Sequence, residues 1–101
     1  MPQEILSIAV FQPCLGKEKE SLQTLQELFA VLAAAGHSRD LLYRDTQAAE
    51  GCLQYVLLRY WKSEAARRAA QEDAEVQRCW AKLGNEVRIV TVYETLQGLE
   101  G

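Results

Sequence analysis

Hydrophobic positions along the chain fall into two rhythms, short dense runs at four places and steps of three and four at two others. The first run, EILSIAVFQ from Glu4 to Gln12, is rich in β-branched and aromatic residues, and Pro13 removes a backbone donor where such a strand would end. From about Gly16 to Ala35, the residues Leu22, Leu25, Leu28, Phe29, Leu32 and Ala33 form one apolar stripe, and Gly36 supplies a helix stop. Ser38 to Thr46 (SRDLLYRDT) reads as a short strand. The turn-like AAEG then leads into CLQYVLLRYW, a longer strand ending near Trp61, so the two strands form a hairpin. Ser63 is a helix N-cap for an alanine-rich segment reaching about Gln71. Val76, Trp80 and Leu83 follow at helical spacing up to Gly84-Asn85, with Glu72-Asp73 marking a point where the helix can break in two. Val87 to Thr95 (VRIVTVYET) is the last strand.

The order is β-α-β-β-α-β, a ferredoxin-like α+β arrangement in which right-handed crossovers place the helices on one face of an antiparallel sheet. The strands, however, are apolar on both faces. Leu53, Tyr55 and Leu57 alternate with Val56, Leu58 and Tyr60, and Val87 and Ile89 are set against Val90 and Val92. A lone chain would expose more contiguous apolar surface than soluble monomers usually carry. The expectation is a twofold homodimer with sheets face to face.

Composition narrows the function. With 101 residues the chain has the size of one domain spanning 1–101, and 49% hydrophobic with 25% charged residues is an ordinary globular balance. The net charge of −3, with only Arg67 and Arg68 adjacent, argues against nucleic acid or an anionic membrane as partner. No run of 18 apolar residues could span a membrane, and Met1, Pro2, Gln3 and Glu4 lack the basic start of a secretory signal, so the cytoplasm is expected. Cys14, Cys52 and Cys79 are widely separated and form no CxxC pair, which makes free thiols the expectation and leaves no zinc or metal-carrier motif. An RNA-recognition signature, a Ser-His-Asp set and a phosphate-binding glycine loop are likewise not written in the chain.

Several short motifs resemble the antibiotic biosynthesis monooxygenase-like family. They are the Gly16-Lys17-Glu18 helix start, the Leu42-Tyr43-Arg44-Asp45 of the second strand and, most sharply, VLLRYWKSEAA, where an apolar strand ends in Trp61 and Ser63-Glu64-Ala65 opens a helix. The resemblance covers nearly the whole chain and implies the dimeric α+β barrel. It also implies oxidation of a quinol or polyketide-like aromatic molecule without metal or flavin, the ligand lying between sheet and helices. Trp61, with Arg59, Tyr43 and Tyr60 on the same hairpin, then becomes the substrate-binding candidate. The chain departs from the family at its histidines: Ala70 or Gln71 stands where oxygenases often carry one, and Trp80 where haem-degrading members do. Ser7 is the nearest polar residue to the first-strand asparagine of those haem degraders, which argues against haem chemistry.

His37 is the only histidine, and its ordinary pKa near 6.5 suits a general base, although its place after Gly36 also suits a group that faces water or the helix C-terminus. Arg59 is a charge on an otherwise apolar strand and needs a partner, for which a carboxylate of a dimer mate is the expectation. Trp61 can stack on a flat substrate or anchor helix packing. Two functions fit: a cofactor-independent monooxygenase, or a non-catalytic small-ligand-binding or structural barrel module.

Overall fold

The computed structural model describes residues 5–47 and 53–99. Its elements are β1 (Ile5–Pro13), α1 (Glu18–Ala34), β2 (Ser38–Arg44), β3 (Tyr55–Trp61), α2 (Glu64–Glu72), α3 (Ala74–Gly84) and β4 (Val87–Leu96). The AAEG turn and Cys52 lie outside the described residues. The four strands form one antiparallel sheet in the order β2-β3-β1-β4, and the fold is ferredoxin-like α+β.

Local chemistry explains the boundaries. Gly36 adopts φ +73, the left-handed geometry that ends α1 and that a side chain would strain. Ser63 Oγ accepts from the Ala66 amide at 3.0 Å and starts α2. Asp73 breaks the second helical region: it has extended backbone angles, and its carboxylate accepts from the Glu75 amide at 2.9 Å, capping α3. β3 begins at Tyr55, so Leu53 lies ahead of the strand.

Register sorts the side chains. Tyr55, Leu57, Arg59 and Trp61 of β3 are buried under the helices and stand opposite Phe11, Ala9, Ser7 and Ile5 of β1. Two apolar clusters result. One joins Trp61 to Leu28, Leu32, Ala70, Val76 and Cys79; the other gathers Phe11, Leu25, Tyr55, Leu57 and Val87. Burying such side chains contributes about 1.5–3 kcal/mol each.

The other face carries Leu6, Ile8, Val10, Val56, Leu58 and Tyr60, with Leu41, Tyr43 and Tyr93 substantially exposed. β4 departs from simple alternation. Phe11 faces Ile89 but Val10 faces Thr91, so Val90 is an extra residue, a β-bulge. Val92 then stands opposite Ala9 and shares the helix side with Ile89, correcting the expectation that Val92 and Ile89 oppose each other. A second irregularity follows between the Ile8–Tyr93 and Leu6–Leu96 pairs.

Candidate functional site

A cavity of about 400 Å³ lies between the helix-facing side of the sheet and the helices. Alternation along the strands supplies most of its wall: Ser7, Ala9 and Phe11 from β1, Leu57, Arg59 and Trp61 from β3, and Val87, Ile89, Val92 and Glu94 from β4. Leu28 of α1, Arg67 and Gln71 of α2, and Trp80 and Leu83 of α3 close it from above. Both tryptophans of the chain therefore border one space. The volume suits a small organic ligand, and the mixture of an apolar wall with a few polar groups is that of a ligand site.

Trp61 is held in place by hydrogen bonds. Its Nε1–H donates to Ser7 Oγ at 2.8 Å, and the Ser7 hydroxyl in turn donates to the Glu94 carbonyl oxygen, linking β3, β1 and β4. The ring is buried, so it serves both as a packing anchor and as cavity wall. Arg59 lies with its guanidinium carbon 5.5 Å from the Trp61 ring centre, within cation–π range.

The partner of Arg59 is Asp40 of the same chain, which overturns the expectation of a dimer-mate carboxylate. Cross-strand register places the two opposite each other, and the pair is bidentate, Nε to Oδ1 at 3.0 Å and Nη2 to Oδ2 at 3.1 Å. The Ser38 hydroxyl donates to the same Oδ1 at 3.2 Å. The Asp40 side chain is only 1% exposed, so this is a buried, satisfied ion pair with little positive charge left over.

The remaining sequence candidates lie elsewhere. Tyr43 and Tyr60 sit on the opposite side of the sheet, with Arg39 stacked over Tyr60 at 4.1 Å. His37 is not among the cavity-lining residues; its Nε2 lies 3.3 Å from Asp73 Oδ2, tying the turn after α1 to the α2–α3 junction. The Glu75 backbone N–H, helped by His37, holds Asp73 below its ordinary carboxylate value. Cys79 is in the core, where burial pushes its thiol up, and Cys14 is exposed. Among the described residues no three His, Cys, Asp or Glu side chains are grouped to hold a metal ion, and no helix is long and apolar enough to cross a membrane.

Arg67 and Glu94 line the cavity without being marked by the sequence, and Gln71 and Trp80, which stand where members of the resembled family carry histidines, line it too. Trp80 carried a signal, its helical spacing from Val76 and Leu83, but that spacing describes a core position equally well. The three polar residues occupy positions where a solvent-facing reading is equally natural.

No protein-family model matches the chain, and no curated protein is close enough in sequence to count as a relative. Solved structures do match. A conserved protein of unknown function from Bacteroides thetaiotaomicron, described as a possible oxidoreductase, superposes with a TM-score of 0.79 at 8% identity, covering 97% of this chain and 100% of its own. SnoaB, a cofactor-independent oxygenase from Streptomyces nogalater, gives 0.76 at 18% identity, covering 98% and 99%. A protein from Chloroflexus aurantiacus, provisionally described as an antibiotic biosynthesis monooxygenase, gives 0.75 at 13% identity, covering 97% and 95%. At such identities the likeness is one of fold, and the fold of the single chain is the ferredoxin-like α+β one expected from the sequence.

Proposed function

We propose that this chain is a monooxygenase-like protein that binds a quinol or polyketide-like aromatic molecule in the cavity and promotes its oxidation by O2 without a metal or flavin. One observation carries the reading: a 400 Å³ space walled by Trp61 and Trp80, with Arg59 beside it, in a chain sharing the fold of an oxygenase that needs no cofactor. The chemistry balances on the substrate alone. In an anthrone-like substrate a ring CH2 flanked by phenolic rings becomes C=O, one oxygen atom enters the product, the other leaves as water, and the four electrons come from the substrate carbon; a quinol instead gives up two electrons and two protons to become the quinone, and O2 leaves as hydrogen peroxide. The protein's part is to hold the ring beside the tryptophans and to exclude water with Ala9, Phe11, Leu57 and Val92.

The test is oxygen uptake with anthrone and 1,4-dihydroxynaphthalene, measured above the uncatalysed rate. Ala9→Leu, which adds bulk to the cavity wall, should abolish the excess while circular dichroism stays unchanged. Excess uptake that survives Ala9→Leu would move the chemistry out of the cavity. A second reading, a non-catalytic ligand-binding module, is favoured by the absence of histidine from the lining and by the neutralisation of Arg59 by Asp40. Binding of these aromatics without any uptake would select it.

We also propose a homodimer formed through the helix-free face. Its support is the apolar surface of Ile8, Val56, Leu58 and Tyr60, together with exposed Leu41, Tyr43 and Tyr93. Light scattering should give twice the chain mass, and Leu58→Asp should give a folded monomer; a wild-type monomer would overturn the proposal.

A further inference from the structure

The cavity has two chemically different ends. Ser7, Arg59 and Trp61 lie where β1 begins and β3 finishes, close in sequence to α2 with Arg67 and Gln71, whereas Phe11, Val87 and Ile89 mark the apolar end. A ligand with a ring body and one polar substituent fits such a space in one direction only.

The charges at the polar end are not equivalent. Arg59 spends two N–H groups on Asp40 in a pair buried on both sides, and its charge is cancelled locally. Arg67 is held differently. Its only ion pair among the described residues is a single contact from Nε to Glu64 Oε2 at 3.3 Å, and Glu64 is shared with Arg68, whose Nε lies 3.4 Å from Oε1. One half-exposed carboxylate thus faces two guanidinium groups, leaving a surplus positive charge at this end of α2. The i,i+3 and i,i+4 contacts that hold it are weak and easily exchanged. The Arg67 side chain is 21% exposed and lines the cavity, so its charge is partly shielded from water yet open to a ligand. Glu94, an exposed carboxylate on the same wall, opposes any anionic ligand, and a doubly charged one most.

We propose that the cavity selects a flat apolar molecule bearing a single carboxylate, and that Arg67 is the residue that reads this charge. The inference rests on the cavity being the ligand site proposed above. A guanidinium offers a carboxylate two parallel N–H donors, and a partly desolvated charge-assisted contact of this kind changes affinity by about tenfold or more.

The test is calorimetric titration of the full chain, under nitrogen, with 1,4-dihydroxy-2-naphthoate and with 1,4-dihydroxynaphthalene, which differ by the carboxylate alone. The acid should bind about tenfold tighter at low salt. Arg67→Gln should reduce that preference to under about twofold, while Arg68→Gln should preserve it. Glu94→Gln should strengthen binding of the acid. Equal wild-type affinities for the two compounds, or a preference that survives Arg67→Gln, would overturn the role of Arg67 while leaving the cavity as a ligand site. Binding of neither compound would remove the cavity reading itself, and this inference with it.

Discussion

Asp40 and Arg59 offer the sharpest test of how this sheet is held together. The pair is bidentate at 3.0 and 3.1 Å, and the exposures are unequal, 1% for the Asp40 side chain and 9% for Arg59. With charge centres about 4 Å apart and an effective dielectric of about 20, the attraction is roughly 4 kcal/mol, and most of it is cancelled by the desolvation of both groups. Removing one partner therefore costs much more than removing both. Arg59→Met should destabilise by about 3–5 kcal/mol, because the stranded carboxylate has no route to water. Asp40→Leu should cost less, since the longer guanidinium arm borders the cavity and can turn into it. The double variant should return to within about 1 kcal/mol of wild type. Urea unfolding followed by tryptophan fluorescence measures all four proteins. With an m-value of roughly 1.5 kcal/mol/M, Arg59→Met should lower the midpoint by about 2 M or more. The reasoning fails if both single variants lose under about 1 kcal/mol, or if the double variant loses the sum of the two.

Ser63→Ala removes the oxygen that accepts from the Ala66 amide and should cost about 1 kcal/mol, read as a lower urea midpoint with unchanged slope. Gly36→Ala forces a side chain into φ +73, with the new Cβ 3.5 Å from Lys62 Nζ, and should cost about 1–2 kcal/mol in the same assay. Asp73 is held below its ordinary value of 3.8, so its contribution to stability is fully present above that value and is lost as pH falls through the lower folded value. Acid unfolding curves of wild type and Asp73→Asn should accordingly be separate above about pH 4 and draw together as the pH falls through the lowered folded value. Within a Cys52→Ser background, a thiol reagent should label Cys14 at once and Cys79 only on unfolding, since burial pushes the Cys79 thiol up.

The elements of this fold are plain in the sequence because their periods are clean. YVLLRYW alternates faithfully, the stripe from Leu22 to Leu32 keeps helical spacing, and Ser63 and Gly36 punctuate as their chemistry requires. The site is less legible, since it depends on which residues meet across the sheet. Arg59 stands out alone, but its partner follows only from pairing Asp40 with it across the hairpin. Two opposite charges at inward positions of neighbouring strands were the available signal. The bulge at Val90 carries no residue signature, so the turn of Val92 toward the cavity could not be read from VRIVTVYET. Arg67, Gln71 and Glu94 look like solvent-facing residues until the helices are placed above the sheet.

The irregularities of β4 have a further consequence for how the chain behaves at high concentration. β4 is a free sheet edge of ten residues with apolar side chains on both sides, the kind of edge that recruits other strands and seeds aggregates. Two extra residues interrupt its ladder within that length, so its outward N–H and C=O groups do not repeat at the spacing of a regular strand. At the opposite edge, β2 carries Arg39, Asp40 and Arg44. Both borders of the sheet are thus poor templates for indiscriminate strand addition, one through broken periodicity and the other through charge.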